Sequence, residues 1–344
     1  MREKHYFKNS IRNWNMVLGL LLLFSIILTL TLGSVKVPVS LTIKILLNQL
    51  PFVNLNPVWS TSQEDIILAL RLPRIFVAVI VGAMLATAGT AFQGILRNPL
   101  ADPYILGISS GAAVGAASAI LLVSQGSIFW SGIALPLFSF LGAILSLGMV
   151  FVIAWNRKRE TVSLILAGVV VQSFLGAILS FAITVSGHKL KSIVFWLMGS
   201  LAAAGWKDVL FLLPYLLICY LIIYAYYRNF NILVLGEQAA QHLGMNVEKT
   251  KIIALVAASL LTAAAVSVVG IIGFVGLIVP HIIRILAGPD HKILLPASCL
   301  AGAIFLLWSD TLARTLIPAM EIPIGVITAL AGAPFFGYLL KKRV

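Results

Sequence analysis

The sequence predicts an all-α integral membrane protein, and three observations carry that prediction. Of its 344 residues, 60% are hydrophobic and the mean hydropathy is +1.06. Only 10% are charged, too few to clothe a water-soluble core of this size, since soluble domains carry about a quarter. The 24 Lys and Arg, set against 11 Asp and Glu for a net charge of +13, fall in short clusters between apolar runs. That distribution sets membrane topology, so the high pI argues for a bilayer rather than nucleic acid, and the hydrophobicity excludes disorder.

A helix needs roughly 20 apolar residues to cross about 30 Å of hydrocarbon. Residues 1–12 are basic, but no small-x-small cleavage site follows, so residues 14–33 read as a retained first span rather than a signal peptide. Residues 75–96 give the second span. The uncharged run 104–156 is too long for one crossing and breaks at Ser124-Gln125-Gly126-Ser127, giving spans near 104–123 and 133–155. Spans five and six follow near 161–185 and 208–227. The next apolar run breaks around Gly270 into spans near 251–269 and 271–287, and spans near 293–309 and 322–340 complete ten. Residues 192–206 are apolar but number only 15, which suits a short helix on the periplasmic side, interfacial or re-entrant, better than a crossing. The whole chain, 1–344, reads as one transmembrane domain of packed helices, with its longest outer loop at residues 36–70 and its longest inner loop at 228–250.

Charge supports that count. With both termini cytoplasmic, the inner segments hold 16 Lys and Arg, including Arg157-Lys158-Arg159, and the outer segments hold 8. That excess inside, with both termini basic, supports an even number of spans. Cys219 and Cys299 both lie in apolar runs and imply no disulfide framework.

The missing chemistry narrows the function. No G-x-x-x-x-G-K-[ST] occurs, so this chain does not itself hold a nucleotide in a P-loop; no H-E-x-x-H supplies an intramembrane metalloprotease. Ionisable residues, the usual sign of proton or sodium coupling, are scarce at mid-span: Asp102, Asp310 and Glu321 fall near helix ends, and His281 and Arg284 lie in the cytoplasmic half of span eight. A pathway this uncharged takes its driving force from a partner. An ion-coupled secondary transporter is the alternative from another class.

Four stretches look specific. Arg71-Leu72-Pro73-Arg74 puts a proline at a helix start, where it would fix two guanidiniums rigidly outward. Such a pair suits capture of carboxylates on a docking protein, though two interfacial anchors would look the same. In residues 89–112, Asn98-Pro99 and Asp102-Pro103 force an extended break between spans two and three. In residues 235–251, Glu237, Ala239, Ala240 and Gly244 read as a short helix with a small-residue face and a glycine stop. It is either an amphipathic surface helix or a knob for a cytoplasmic motor. Residues 270–296 loosely echo the second stretch.

Together these motifs resemble the FecCD-type permeases, membrane subunits of binding-protein-dependent ABC importers for ferric siderophores, haem and vitamin B12. The resemblance rests on RLPR, NPLADP with LGISSGA, LAGV at 166–169, WLMGS at 196–200, the G-E-x-A-x-x-L-G loop, GFVGLIVPHIIR, and PIGVITALAGAPFF at 323–336. It implies a ten-span permease of the cell membrane, working as a dimer of identical or related chains, with no enzymatic activity and no cofactor of its own. ATP and Mg would sit on separate cytoplasmic ATPase subunits, and an extracellular binding protein would deliver the substrate. A ferric siderophore is the expected cargo, with cobalamin or haem as alternatives. By motif position the resemblance assigns docking to Arg71, Arg74 and Arg314, and ATPase coupling to Gly236, Glu237, Ala240 and Gly244. It assigns the inner gate to Asn98, Pro99, Leu100 and Thr161, the last within Glu160-Thr161-Val162 where some relatives are richer in Ser and Thr. Spans five and ten would line the passage.

Overall fold

The computed structural model describes residues 2–33, 35, 37–51, 53, 55–122, 133–154, 161–317 and 320–343. The expected break at residues 124–127, the basic cluster 157–159 and Glu160 lie outside the described residues. All described elements are helical: α1 (Arg2–Thr31), α2 (Val39–Asn48), α3 (Thr61–Leu96), α4 (Ile108–Leu122), α5 (Ala134–Ala154), α6 (Thr161–Thr184) and α7 (Leu190–Leu197). They continue as α8 (Trp206–Ala225), α9 (Tyr227–Leu233), α10 (Glu237–His242), α11 (Val247–Val269), α12 (Val275–Ala287), α13 (His291–Thr315) and α14 (Ile324–Arg343).

Seven of these helices are long and apolar enough to cross a membrane: α1 from Trp14, α3, α5, α6, α8, α11 and α13. The apolar α2, α4, α12 and α14 are shorter. Each stretch expected to span contains one helix, and α7, eight residues long, stops well short of a crossing. The stretch expected as an outer loop, 36–70, is largely helical instead. It holds α2 and the first turns of α3, which start at a capping box: Ser60 Oγ accepts from Gln63 N, and the Gln63 side chain accepts from Ser60 N. Hydropathy alone missed these polar turns. Within α3, residues Ile66–Arg71 form a π-turn just before Pro73. Proline has no N–H to offer the carbonyl four residues back, so the helix widens there before resuming α geometry.

The core is arranged around α3. Its most apolar window is 89% buried, enclosed by α8, α11, α12 and α13. Small residues make this possible: a Cβ on Gly82 would strike the Gly302 carbonyl of α13, and one on Gly89 would strike the Gly276 carbonyl of α12. By contrast α1, α6 and α8 turn rows of large apolar side chains outward, among them Phe24, Phe174 and Leu221. Such faces suit lipid or another apolar surface.

The break at Gly270 is real and is repaired. Gly270 takes φ 73°, α11 ends, and the chain runs extended to Phe274 before α12 begins. Tyr104 Oη donates to Ile272 O at 2.9 Å and accepts from Ile272 N at 3.3 Å, so this buried, non-helical backbone stays paired. Non-helical backbone within a membrane fold requires such partners. Likewise α4 starts later than its apolar run, because Pro103 and the left-handed Gly107 first impose a 3-10 turn.

Candidate functional site

α3 carries an arginine near each end of its buried stretch, Arg74 and Arg97, separated by about 35 Å of helix rise. Around each is a charged cluster, and the residues expected to be functional divide between them.

At the Arg74 end, three arginines come together but none projects freely. Arg74 Nε donates to both Asp310 oxygens at 3.0 and 3.1 Å, and Nη1 reaches Glu321 Oε1 at 2.9 Å. Asp310 is fully buried, whereas the Glu321 side chain is 48% exposed. Arg71 is buried; its Nη1 donates to Leu30 O at 2.8 Å and its Nη2 to Val35 O. Arg314 Nη2 donates to Thr29 O at 2.8 Å, with Nε 3.7 Å from Asp310 Oδ2. Thr29 and Leu30 lie in the last turn of α1, whose carbonyls have no partners within their own helix. Two guanidiniums therefore cap α1 from outside it, which favours the negative helix end as well. This corrects the expectation that Pro73 aims Arg71 and Arg74 into solution: orphan carbonyls and a buried carboxylate draw the guanidiniums inward. The group most open to solution in this cluster is the Glu321 carboxylate.

At the Arg97 end, α3 stops as Arg97 adopts a left-handed conformation, φ 49°. The Asn98 side chain then accepts from Leu100 N at 2.9 Å, and Asp102 Oδ1 accepts from Tyr104 N at 2.8 Å. Burial pushes the Asp102 carboxyl up to about 6, only partly opposed by that backbone hydrogen bond.

Against this turn lies α10. Gly236 at φ 107° opens it, and Gly244 at φ 81° closes it in a Schellman motif, with Met245 N donating to Ala240 O at 3.0 Å and Gly244 N to Gln241 O at 2.9 Å. Ala240 faces inward and is fully buried, while Leu235 and Leu243 stand exposed on either side of the helix.

Glu237, the first residue of α10, joins three parts of the chain. Its Oε1 lies 2.6 Å from Lys251 Nζ on α11, 3.2 Å from Thr161 Oγ1 at the start of α6, and 3.6 Å from Arg97 Nη2. Lys251 Nζ also donates to Thr161 Oγ1 at 3.2 Å, which closes a triangle. Burial alone would raise the Glu237 pKa; the Lys251 hydrogen bond and charge, the Thr161 hydroxyl and the Arg97 charge together hold it below the ordinary glutamate value. The sequence motifs singled out Glu237 and Thr161 separately, and the fold brings them into contact. Lys251, Asp310 and Glu321 were not among the expected site residues. Asp310 is 236 positions from Arg74, and no spacing rule connects them. Among the described residues, no group of three His, Cys, Asp or Glu is placed to hold a metal.

Seven helices long and apolar enough to span, packed around a small-residue helix and turning large apolar side chains outward, define a multi-pass membrane protein. The chain belongs to the FecCD transport family, whose model matches residues 21–342. It is similar to the cobalamin import system permease protein BtuC of Halobacterium salinarum, 47% identical over 81% of this chain and 74% of that protein. It is also similar to the Fe(3+)-citrate import system permease protein YfmE of Bacillus subtilis, 40% identical over 81% of this chain and 83% of that protein. A solved inward-facing structure assigned to the metal-chelate type of ABC transporter superposes with a TM-score of 0.81, at 34% identity over 96% of this chain and 99% of its own. This protein is accordingly a multi-pass membrane permease of the FecCD transport family. Membership of that family implies an ATPase and a binding protein as partners.

Proposed function

We propose that this permease moves a ferric siderophore complex into the cell, working as a dimer of identical or related chains without catalysing a reaction itself. The Arg97 end faces the cytoplasm with both termini, the seven long helices together with α4, α12 and α14 make ten crossings, and ATP and Mg are used on separate ATPase subunits. The observation that carries this reading is the Glu237–Lys251–Thr161 triangle, which joins the exposed helix α10 directly to the first residue of α6.

In this reading the segment from Gly236 to Gly244 seats in the ATPase, with Leu235 and Leu243 as its apolar contacts and the buried Ala240 holding it to the bundle. When the ATPases close, α10 moves and the triangle carries α6 with it as a rigid body. Thr161 together with Asn98, Pro99 and Leu100 forms the inner gate. The outward apolar faces of α6 and α14 line a passage without a tight site, so selection rests with the binding protein.

Docking takes place at the other end. Glu321 occupies Arg74 from the solvent side, and an incoming carboxylate of the binding protein displaces it. Arg71 and Arg314 serve that surface by fixing the end of α1 beneath it.

Cobalamin is the second reading, favoured by the 47% identity to a permease named for it. Uptake of labelled ferric siderophore, cobalamin and haem into proteoliposomes holding the permease, its ATPase and its binding protein tests all of this. ATP-dependent uptake of the ferric complex that requires the binding protein is the expected result. Uptake by this chain alone, driven by a proton or sodium gradient, would overturn it.

A further inference from the structure

A cavity of about 450 Å³ opens beside the Arg97 end, between α3, α12 and the start of α13. Its lining includes Arg97, Arg284, His281 and His291 but no carboxylate. Two guanidiniums, Arg284 and the Arg97 that lies 3.6 Å from Glu237, leave the void favourable to an anion.

Two of these groups are held in place by neutral neighbours. The Gln93 amide donates to Gly276 O at 3.2 Å, which turns its Oε1 toward Arg284 Nη2 at 2.8 Å. Gln93 orients the guanidinium without neutralising it, and among the described residues no acid pairs with it. His291 is fixed from the opposite side. Asn231 Nδ2 donates to Asp290 at 2.7 Å, so Asn231 Oδ1 faces His291, where it accepts from the backbone N at 3.0 Å and from Nδ1 at 2.8 Å.

With its proton on Nδ1, His291 presents Nε2 as a lone-pair acceptor. That atom is buried in a residue only 3% exposed and has no partner. It lies beside Gly94, where an added Cβ would sit 2.9 Å away, and both His291 and Gly94 line the cavity. The site thus offers guanidinium donors for an anion and, beside them, one acceptor that requires a hydroxyl.

We propose that this cavity binds a glycerol phosphate group, its phosphate on Arg284 and Arg97 and a headgroup hydroxyl on His291 Nε2. Phosphatidylglycerol supplies that group with acyl chains attached, and the exposed Ile285 and Leu286 at the end of α12 give the chains an apolar surface beside the opening. Soluble glycerol 3-phosphate shares the headgroup chemistry. The inference does not depend on which substrate the permease carries.

The test is a titration of the full-length chain in dodecyl maltoside, reading the rise in melting temperature. The probes are dioctanoyl phosphatidylglycerol, dioctanoyl phosphatidylethanol (equally anionic, without the hydroxyl) and glycerol 3-phosphate. Saturable binding of phosphatidylglycerol is expected, about tenfold weaker in Arg284→Gln and near normal in Arg284→Lys. Phosphatidylethanol binds several-fold more weakly than phosphatidylglycerol to the native chain, and His291→Leu erases that difference. Tighter binding of the lipid identifies the membrane as the source; binding of glycerol 3-phosphate alone, with the same sensitivity to Arg284, identifies a soluble metabolite. Binding unaffected by Arg284→Gln, or no binding by either glycerol phosphate, overturns the proposal. Should Arg284→Gln not fold, Arg97→Gln replaces it with the same expected loss.

Discussion

Lys251 Nζ and Glu237 Oε1 lie 2.6 Å apart, and Thr161 Oγ1 is hydrogen-bonded to both at 3.2 Å. The lysine side chain is 5% exposed and the glutamate 28%. A hydroxyl that donates to the acid and accepts from the base has both of its roles filled, so neither ion can leave without disturbing α6.

Removing one charge should therefore cost more than removing two. Glu237→Gln leaves the buried Lys251 ammonium without its anion, and a loss of about 2 kcal/mol is expected, reduced by the partial exposure of the glutamate. The double variant Glu237→Gln/Lys251→Met restores most of the stability but not transport, because the tie to Thr161 is gone. Thermal melts, paired with ATP hydrolysed per substrate moved, measure the two effects separately.

Two carboxylates in this region titrate in opposite senses. The depressed Glu237 pKa stabilises the fold above the ordinary glutamate range, and that contribution is lost as pH falls through the folded value. Asp102 has its pKa raised to about 6, so its contribution is complete below 3.8 and is lost as pH rises through 6. Asp102→Asn keeps an acceptor for Tyr104 N without the charge. It should raise stability at pH 7 by on the order of 2 kcal/mol and flatten the melting profile between those values.

At the other end of α3 the two partners of Arg74 should behave differently. Arg74→Ala leaves the buried Asp310 with only Arg314, 3.7 Å away, and should cost about 3 kcal/mol. Glu321→Gln should change stability by less than about 1 kcal/mol, since that partner is solvent-exposed. If Glu321 holds the place of a docking carboxylate, Glu321→Gln also tightens binding-protein affinity, which surface plasmon resonance on nanodiscs reads directly. An unchanged or weakened affinity would count against that role.

Glycine substitutions separate close packing from mere presence in a helix. Gly89→Ala drives a methyl into the Gly276 backbone and should destabilise by about 1–3 kcal/mol. Gly176→Ala on α6 meets nothing within 4 Å and should be neutral or gain up to about 1 kcal/mol from helix propensity. Melting temperatures of the two proteins in the same detergent provide the comparison.

How much of this was legible in the sequence depends on the length of the signal. Apolar runs place helices at every expected stretch, because hydrophobicity over about 20 residues is a strong local property. The turns at Asn98-Pro99 and Gly270 were legible for the same reason: proline and glycine act on the backbone where they stand. Partner choice was not legible. Arg71 carries nothing in its neighbourhood to say that α1 ends beside it, and Lys251 looks like any basic residue at a helix start. The outward reading of RLPR failed because it treated the guanidiniums as facing water, whereas the end of α1 offers them carbonyls. Polar helices such as the first turn of α3 escaped notice because only their caps, not their hydropathy, announce them.

The capping of α1 also bears on the order in which the chain is assembled. The Leu30 carbonyl finds its cation at residue 71, soon after α1 leaves the ribosome, but the Thr29 carbonyl waits for residue 314, about 240 residues later. The end of α1 is thus fully secured only after α13 has been made. A chain ending before Arg314 should insert normally yet leave the end of α1 open to cysteine-directed labelling at position 29, where Thr29 is fully buried in the complete fold, and adding the segment that carries Arg314 should close it.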